Sequence, residues 1–78
     1  MANAVTSARQ ILADNLKALR LKKKLSQEGL AFEAGLHRTF VAHVERCARN
    51  ISIDNIERLA KALGTTVSEL LKAQNQVP

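Results

Sequence analysis

A chain of 78 residues holds one domain at most, and one this small has little core to spare. Hydrophobic residues make up 46% of it, yet only Phe32 and Phe40 are aromatic, so the core must be built from Leu, Ile, Val and Ala, side chains that suit packed helices. A net charge of +5 favours an anionic partner, nucleic acid or an anionic membrane surface, while no apolar run approaches the ~20 residues that span a bilayer.

Helical periodicity runs almost from end to end, and no stretch alternates long enough for a sheet, so the fold class is all-α. The first helix is expected from about Thr6 or Ser7 to Lys23. Leu12, Leu16 and Leu19 fall at i, i+4 and i+7 with Ile11 beside them, the apolar stripe of an amphipathic helix. Arg20, Lys22, Lys23 and Lys24 complement the partial negative charge at its C-terminus; the lysines are either a solvated end or additional phosphate contacts. Ser26 is a good N-cap for a second helix, Gln27 to Ala34. Gly29 stands where a capping box would place Glu or Gln, and it costs this helix up to ~1 kcal/mol relative to Ala. Gly35 ends the helix in a left-handed conformation. A third helix runs from about His37 or Arg38 to Arg46. Ser52 caps a fourth, Ile53 to Leu63, which carries Ile56, Leu59, Ala60 and Leu63 on one face and stops at Gly64. Thr66 and Glu69 form a capping box for a fifth, Val67 to about Ala73. Gln74 to Pro78 are expected to fray, which leaves about residues 6–73 ordered in a single domain.

The informative stretch is Gln27 to Arg46. Leu30 and Ala34 face the core, Ala31 is small where the second helix must approach the third, and Leu36 anchors the turn. Gly35 can take the positive φ that redirects the chain sharply. Val41 and Val44 lie at i, i+3 and face inward. Arg38, Thr39, Ala42, His43 and Arg46 form one continuous face on the opposite side, polar, basic and low in bulk at its centre. A helix with such a face can enter the major groove of DNA, where Arg38 can donate two hydrogen bonds to guanine and Thr39 can bond a base or phosphate and touch a thymine methyl. His43 either bonds a base edge or is solvated. Taken alone this face is equally a solvated one; combined with Ala31, Gly35, Leu36, Val41 and Val44 at their spacings it favours groove reading. Gln27 opens the second helix, where free backbone N–H groups can meet a phosphate.

Leu25-Ser-Gln-Glu-Gly-Leu-Ala31, Ala34-Gly-Leu36 and Arg38-Thr-Phe-Val41 through Val44-Glu-Arg46 resemble the helix-turn-helix family of phage repressors and Cro proteins. More narrowly, His37-Arg-Thr-Phe-Val41 with Glu45-Arg46 and Arg49-Asn-Ile-Ser52 resembles the controller proteins of restriction–modification systems. The resemblance covers about Leu16 to Leu71. It implies a compact, lambda-repressor-like domain of five helices that dimerises through its C-terminal helices and regulates transcription from paired operator half-sites. It implies that Gln27 contacts the DNA backbone, that Arg49 and Asn50 lie near the DNA, and that Arg20 pairs with Glu45, a carboxylate that phosphate would repel. Three departures stand out. Gly29 replaces the usual Glu, Phe40 stands where controllers often carry Tyr, and Cys47 occupies a common Gly position, where a required positive φ would strain it.

Ile51, Ile53, Val67, Leu70 and Leu71 are more apolar than one small core needs, so a two-fold, self-complementary interface is expected from them. The same residues could instead mask a partner protein, as in an antitoxin. A basic amphipathic membrane binder fits poorly, because Leu12, Leu16 and Leu19 are needed in the core. Met1 to Arg9 lacks an apolar signal segment, which fits the cytoplasm. Cys47 is alone, so it forms no intramolecular disulfide, and one Cys with two His falls short of a tetrahedral zinc site. There is no nucleophile–base–orienter set and no phosphate-cradling glycine loop. The chain is therefore expected to be no enzyme, to need no cofactor or metal, and to take double-stranded DNA and a second copy of itself as partners.

Overall fold

Each helix of the structure, a computed structural model that describes residues 7–48 and 50–73, starts on a side chain that accepts a hydrogen bond from its first turn. The helices are α1 (Ala8–Lys22), α2 (Gln27–Ala34), α3 (Arg38–Glu45), α4 (Ile53–Ala62) and α5 (Val67–Leu70), and no strand occurs among the described residues. Ser7, Ser26, Ser52 and Thr66 offer hydroxyl oxygens to the N–H groups of Gln10, Gly29, Asn55 and Glu69, at 2.8–3.1 Å. These N–H groups have no partner inside the helix, so each cap contributes about 1 kcal/mol. Gly29 supplies no side chain to answer Ser26, but its N–H still takes the cap.

The first four helices end in one way. At the end of α2 the N–H of Leu36 reaches back to the carbonyl of Ala31 and that of Gly35 to Phe32, with Gly35 at φ 72°. The same pair of bonds, a Schellman motif, closes α1 (Leu25 to Arg20, Lys24 to Leu21), α3 (Ala48 to His43, Cys47 to Val44) and α4 (Thr65 to Ala60, Gly64 to Lys61). The motif requires a left-handed residue each time. Gly35 and Gly64 adopt it freely, whereas Lys24 (φ 60°) and Cys47 (φ 59°) do so against their Cβ atoms.

The core is aliphatic. Leu12 and Leu16 of α1, Leu30 of α2, Val41 and Val44 of α3, Leu59 and Leu63 at α4 and Leu70 of α5 are fully buried, each side chain contributing roughly 1.5–3 kcal/mol by leaving water. Ala31 is also buried, which lets α2 and α3 approach closely. α5 packs on α1 and α4. Asn15 lies on the apolar side of α1 and is buried. Its amide nitrogen donates to the carbonyls of Leu70 and Lys72, at 2.9 Å each, with Glu69 at 3.4 Å.

Several expectations are corrected. α5 stops at Leu70 instead of continuing to about Ala73; past that point the carbonyls of Leu70 and Lys72 take the Asn15 amide as their donor. Leu70, expected on a dimer face, is 0% exposed and belongs to the monomer core. α1, α3 and α4 each end one residue before the expected bound, at Lys22, Glu45 and Ala62, with Lys23, Arg46 and Leu63 as C-caps. The expected fraying of residues 74–78 lies outside the described residues. No helix among the described residues is long and apolar enough to cross a membrane.

Candidate nucleic-acid interface

The α2–α3 turn consists of Gly35, Leu36 and His37. With Val41 and Val44 buried against the core, α3 must turn its other side outward. Arg38, Thr39 and Arg46 are exposed there, and Ala42 and His43 are half-buried. Between this face and the start of α2 runs an open cleft lined by Arg20, Ser26, Gln27, Glu28, Arg38, Thr39 and Ala42. The structure thus brings Gln27, Arg38 and Thr39 together, from two helices joined by a three-residue turn.

Arg20, which lines this cleft, is held in an ion pair with Glu45. Arg20 Nε donates to Glu45 Oε2 at 2.6 Å and Arg20 Nη2 to Glu45 Oε1 at 3.0 Å, while Nη1 donates to the Leu25 carbonyl at 2.9 Å. Both side chains are nearly buried, at 10% and 4% exposed. The hydrogen bond to Glu45 raises the guanidinium pKa above its already high ordinary value; burial opposes this, and Coulomb attraction to the carboxylate adds to it. A bidentate, charge-assisted pair of this kind fixes geometry as well as charge. It neutralises the one carboxylate on α3, and it ties α1, the α1–α2 turn and the end of α3 together. Gln27 joins it, its amide nitrogen donating to Glu45 Oε1 at 3.0 Å. Gln27 still has its second amide N–H and its backbone N–H in the first turn of α2 as further donors.

His37 orients the next residue of interest. Its Nδ1 caps α3, accepting the N–H of Thr39 at 3.2 Å. The Thr39 hydroxyl lies 2.8 Å from the same nitrogen, so His37 fixes the side chain as well as the backbone of Thr39.

Asn50 is not brought to this cleft. Its side-chain oxygen accepts from Arg9 of α1, and it lines a second, apolar cleft with Leu12, Ile51, Ile56 and Leu71. Arg49 lies outside the described residues. Of the residues expected at a dimer face, Ile53 is 63% exposed, and Ile51, Val67 and Leu71 are half-buried against the core. Sequence reasoning missed His37 as a cap, Asn15 as the anchor of α5, and Glu28, whose Oε2 lies 3.6 Å from Arg38 Nη1. A polar residue three positions after Leu12, inside an apolar stripe, was a signal for Asn15; nothing in the spacing of Glu28 and Arg38 signalled their approach.

A family model described as helix-turn-helix matches residues 16–70. The chain is 47% identical over 64 residues to the control protein C.BamHI of Bacillus amyloliquefaciens, covering 81% of this chain and 79% of that one. Among solved structures it is similar to the restriction-modification controller protein C.AhdI from Aeromonas hydrophila, with TM-score 0.77 and 47% identity over 80% of this chain and 94% of that one. It is also similar to the hypothetical transcription factor NHTF from Neisseria, with TM-score 0.84 and 39% identity over 95% of this chain and 88% of that one. Matched by the family model from α1 to α5 and by control proteins across most of both chains, the chain belongs to the helix-turn-helix family of DNA-binding transcription regulators.

Proposed function

We propose that the protein controls transcription in the cytoplasm by binding one specific double-stranded DNA site as a homodimer, as a controller of a restriction–modification system does. The observation that carries this reading is the exposed, basic face of α3 beside an Arg20–Glu45 pair that removes negative charge from the approach. In this reading α3 lies in the major groove. Arg38 reads guanine, Thr39 bonds a base or touches a thymine methyl, and His43 and Arg46 extend the contact along the helix. The first turn of α2, at Gln27, meets a phosphate and sets the register. Arg49, just past α3, lies near the DNA backbone; Asn50, held by Arg9, supports the edge of the dimer face instead. That face is built from Ile51, Ile53, Leu71 and the outer side of Val67. Two copies joined there would present their α3 helices to half-sites roughly 34 Å apart, and linking two weak monomers raises affinity with no new contact to DNA. The reading assigns no reaction and no cofactor.

The test uses the duplex that the protein itself selects from a random pool. Arg38→Ala should cost about 1–3 kcal/mol on that duplex and relax preference at one base pair per half-site. Gln27→Ala should weaken all duplexes about equally, because a phosphate contact carries no base information. Wild-type affinity and base preference in Arg38→Ala would remove the groove-reading role. Ile53→Glu should sediment as a folded monomer at micromolar concentration; a wild-type protein that is monomeric there and occupies DNA as a single copy refutes the paired half-sites.

A further inference from the structure

An acidic side chain on the rim of a DNA-binding cleft needs an explanation, because phosphates repel it. Glu28 occupies the first turn of α2, is largely exposed, and lines the same cleft as Gln27, Arg38 and Thr39. Its Oε2 lies 3.6 Å from Arg38 Nη1, which makes an ion pair without a short hydrogen bond. Both side chains keep about two thirds of their surface in water, so the pair contributes little to folding.

Its effect falls on Arg38. An arginine has five N–H donors in a planar fork on a flexible stem. With one corner of the fork held toward Glu28, the remaining donors stay available to the two acceptors of a guanine edge. The same attraction opposes the swing of Arg38 onto a nearby phosphate, the contact that any DNA sequence offers. Glu28 thus acts against Arg38 on random DNA and with it on the cognate site. We infer that Glu28 is a specificity-determining residue that works through Arg38, holding its guanidinium for base reading and away from the phosphate backbone. The inference rests on the assignment of Arg38 as a base reader.

The test compares wild type and Glu28→Gln, alone and with Arg38→Ala, on the selected duplex and on a random-sequence duplex across a salt series. Glu28→Gln keeps shape and removes charge. It should bind the random duplex about threefold more tightly per protomer or better, the scale of an exposed ion pair, with a salt slope steeper by about 0.9 for each added phosphate contact, one per protomer. The selected duplex should gain less, so that the ratio of the two affinities falls. In the Arg38→Ala background Glu28→Gln should leave the ratio unchanged. An unchanged ratio with Arg38 present, or an equal fall with Arg38 absent, overturns the role of Glu28. Loss of general charge repulsion alone would tighten both duplexes equally, and a role confined to the α2 terminus would move only the melting temperature; either result also overturns it. Full base preference in Arg38→Ala alone instead sinks the assignment of Arg38, and the inference with it.

Discussion

Replacing Arg20 with methionine keeps most of the apolar stem and deletes the guanidinium, which strands two groups. The Glu45 carboxylate, 4% exposed, loses donors at 2.6 and 3.0 Å and keeps only the Gln27 amide. The Leu25 carbonyl loses its donor at 2.9 Å. Removing one member of a buried pair costs roughly 3–5 kcal/mol, because an unpaired charge stays behind. The Arg20 side chain is 10% exposed, so water can partly reach the gap, and the lower end, about 3 kcal/mol, is expected. Domains have about 0.05–0.15 kcal/mol of stability per residue, or roughly 4–12 kcal/mol for a chain of this length; Arg20→Met therefore removes a quarter or more of the total. Urea unfolding at one fixed protein concentration should show a lower midpoint with an unchanged slope. Adding Glu45→Met should recover at least ~2 kcal/mol, since replacing both members of a buried pair by apolar side chains is often near neutral. A single variant that loses less than ~1 kcal/mol, or a double variant no more stable than the single, would refute the pair as the clamp on α3.

Asn15→Ala should cost about 1–3 kcal/mol by leaving the carbonyls of Leu70 and Lys72 without their donor, and faster amide exchange should appear first in α5. Lys24→Gly and Cys47→Gly should each raise the melting temperature, because glycine relieves a left-handed residue that costs roughly 1–2 kcal/mol, less its greater freedom in the unfolded chain. Lys24 is the cleaner case, since Cys47 Sγ also donates to Gln10 Oε1 at 3.3 Å; Gly35→Ala should lower the melting temperature instead. His37→Ala removes the α3 cap and frees the Thr39 hydroxyl. It should cost about 1 kcal/mol of stability and, on selected DNA, weaken preference at the base pair next to the one Arg38 reads; a loss of stability with base preference intact would show that Thr39 needs no orientation.

The features legible in the chain are those decided within about one helical turn. Ser26, Ser52 and Thr66 cap because the N–H groups they serve lie three residues away. Val41 and Val44 against Arg38 and Thr39 divide α3 into an inner and an outer face by helical period alone. Gly35 marks its turn because it adopts positive φ without cost. The same reasoning missed Lys24, since its left-handed conformation is set by the bonds from Leu25 and Lys24 that close α1, not by its own preference.

What only the tertiary structure decided are contacts between residues far apart in the chain. Hydrophobicity made Leu70 available for burial but could not say by what; the packing of α5 on α1 and α4 put it in the monomer core and left Ile53 at the surface. Asn15 reads locally as a flaw in an apolar stripe, and it becomes an anchor only when a carbonyl 55 residues later arrives within 2.9 Å. The Arg9–Asn50 contact, 41 residues apart, holds Asn50 away from the cleft between α2 and α3. Glu28 and Arg38 meet only because the Gly35 turn folds α3 back beside the start of α2. The sequence determined which faces exist, because side-chain direction follows from backbone period; the structure decided which face meets which, because that depends on the joint packing of all the helices.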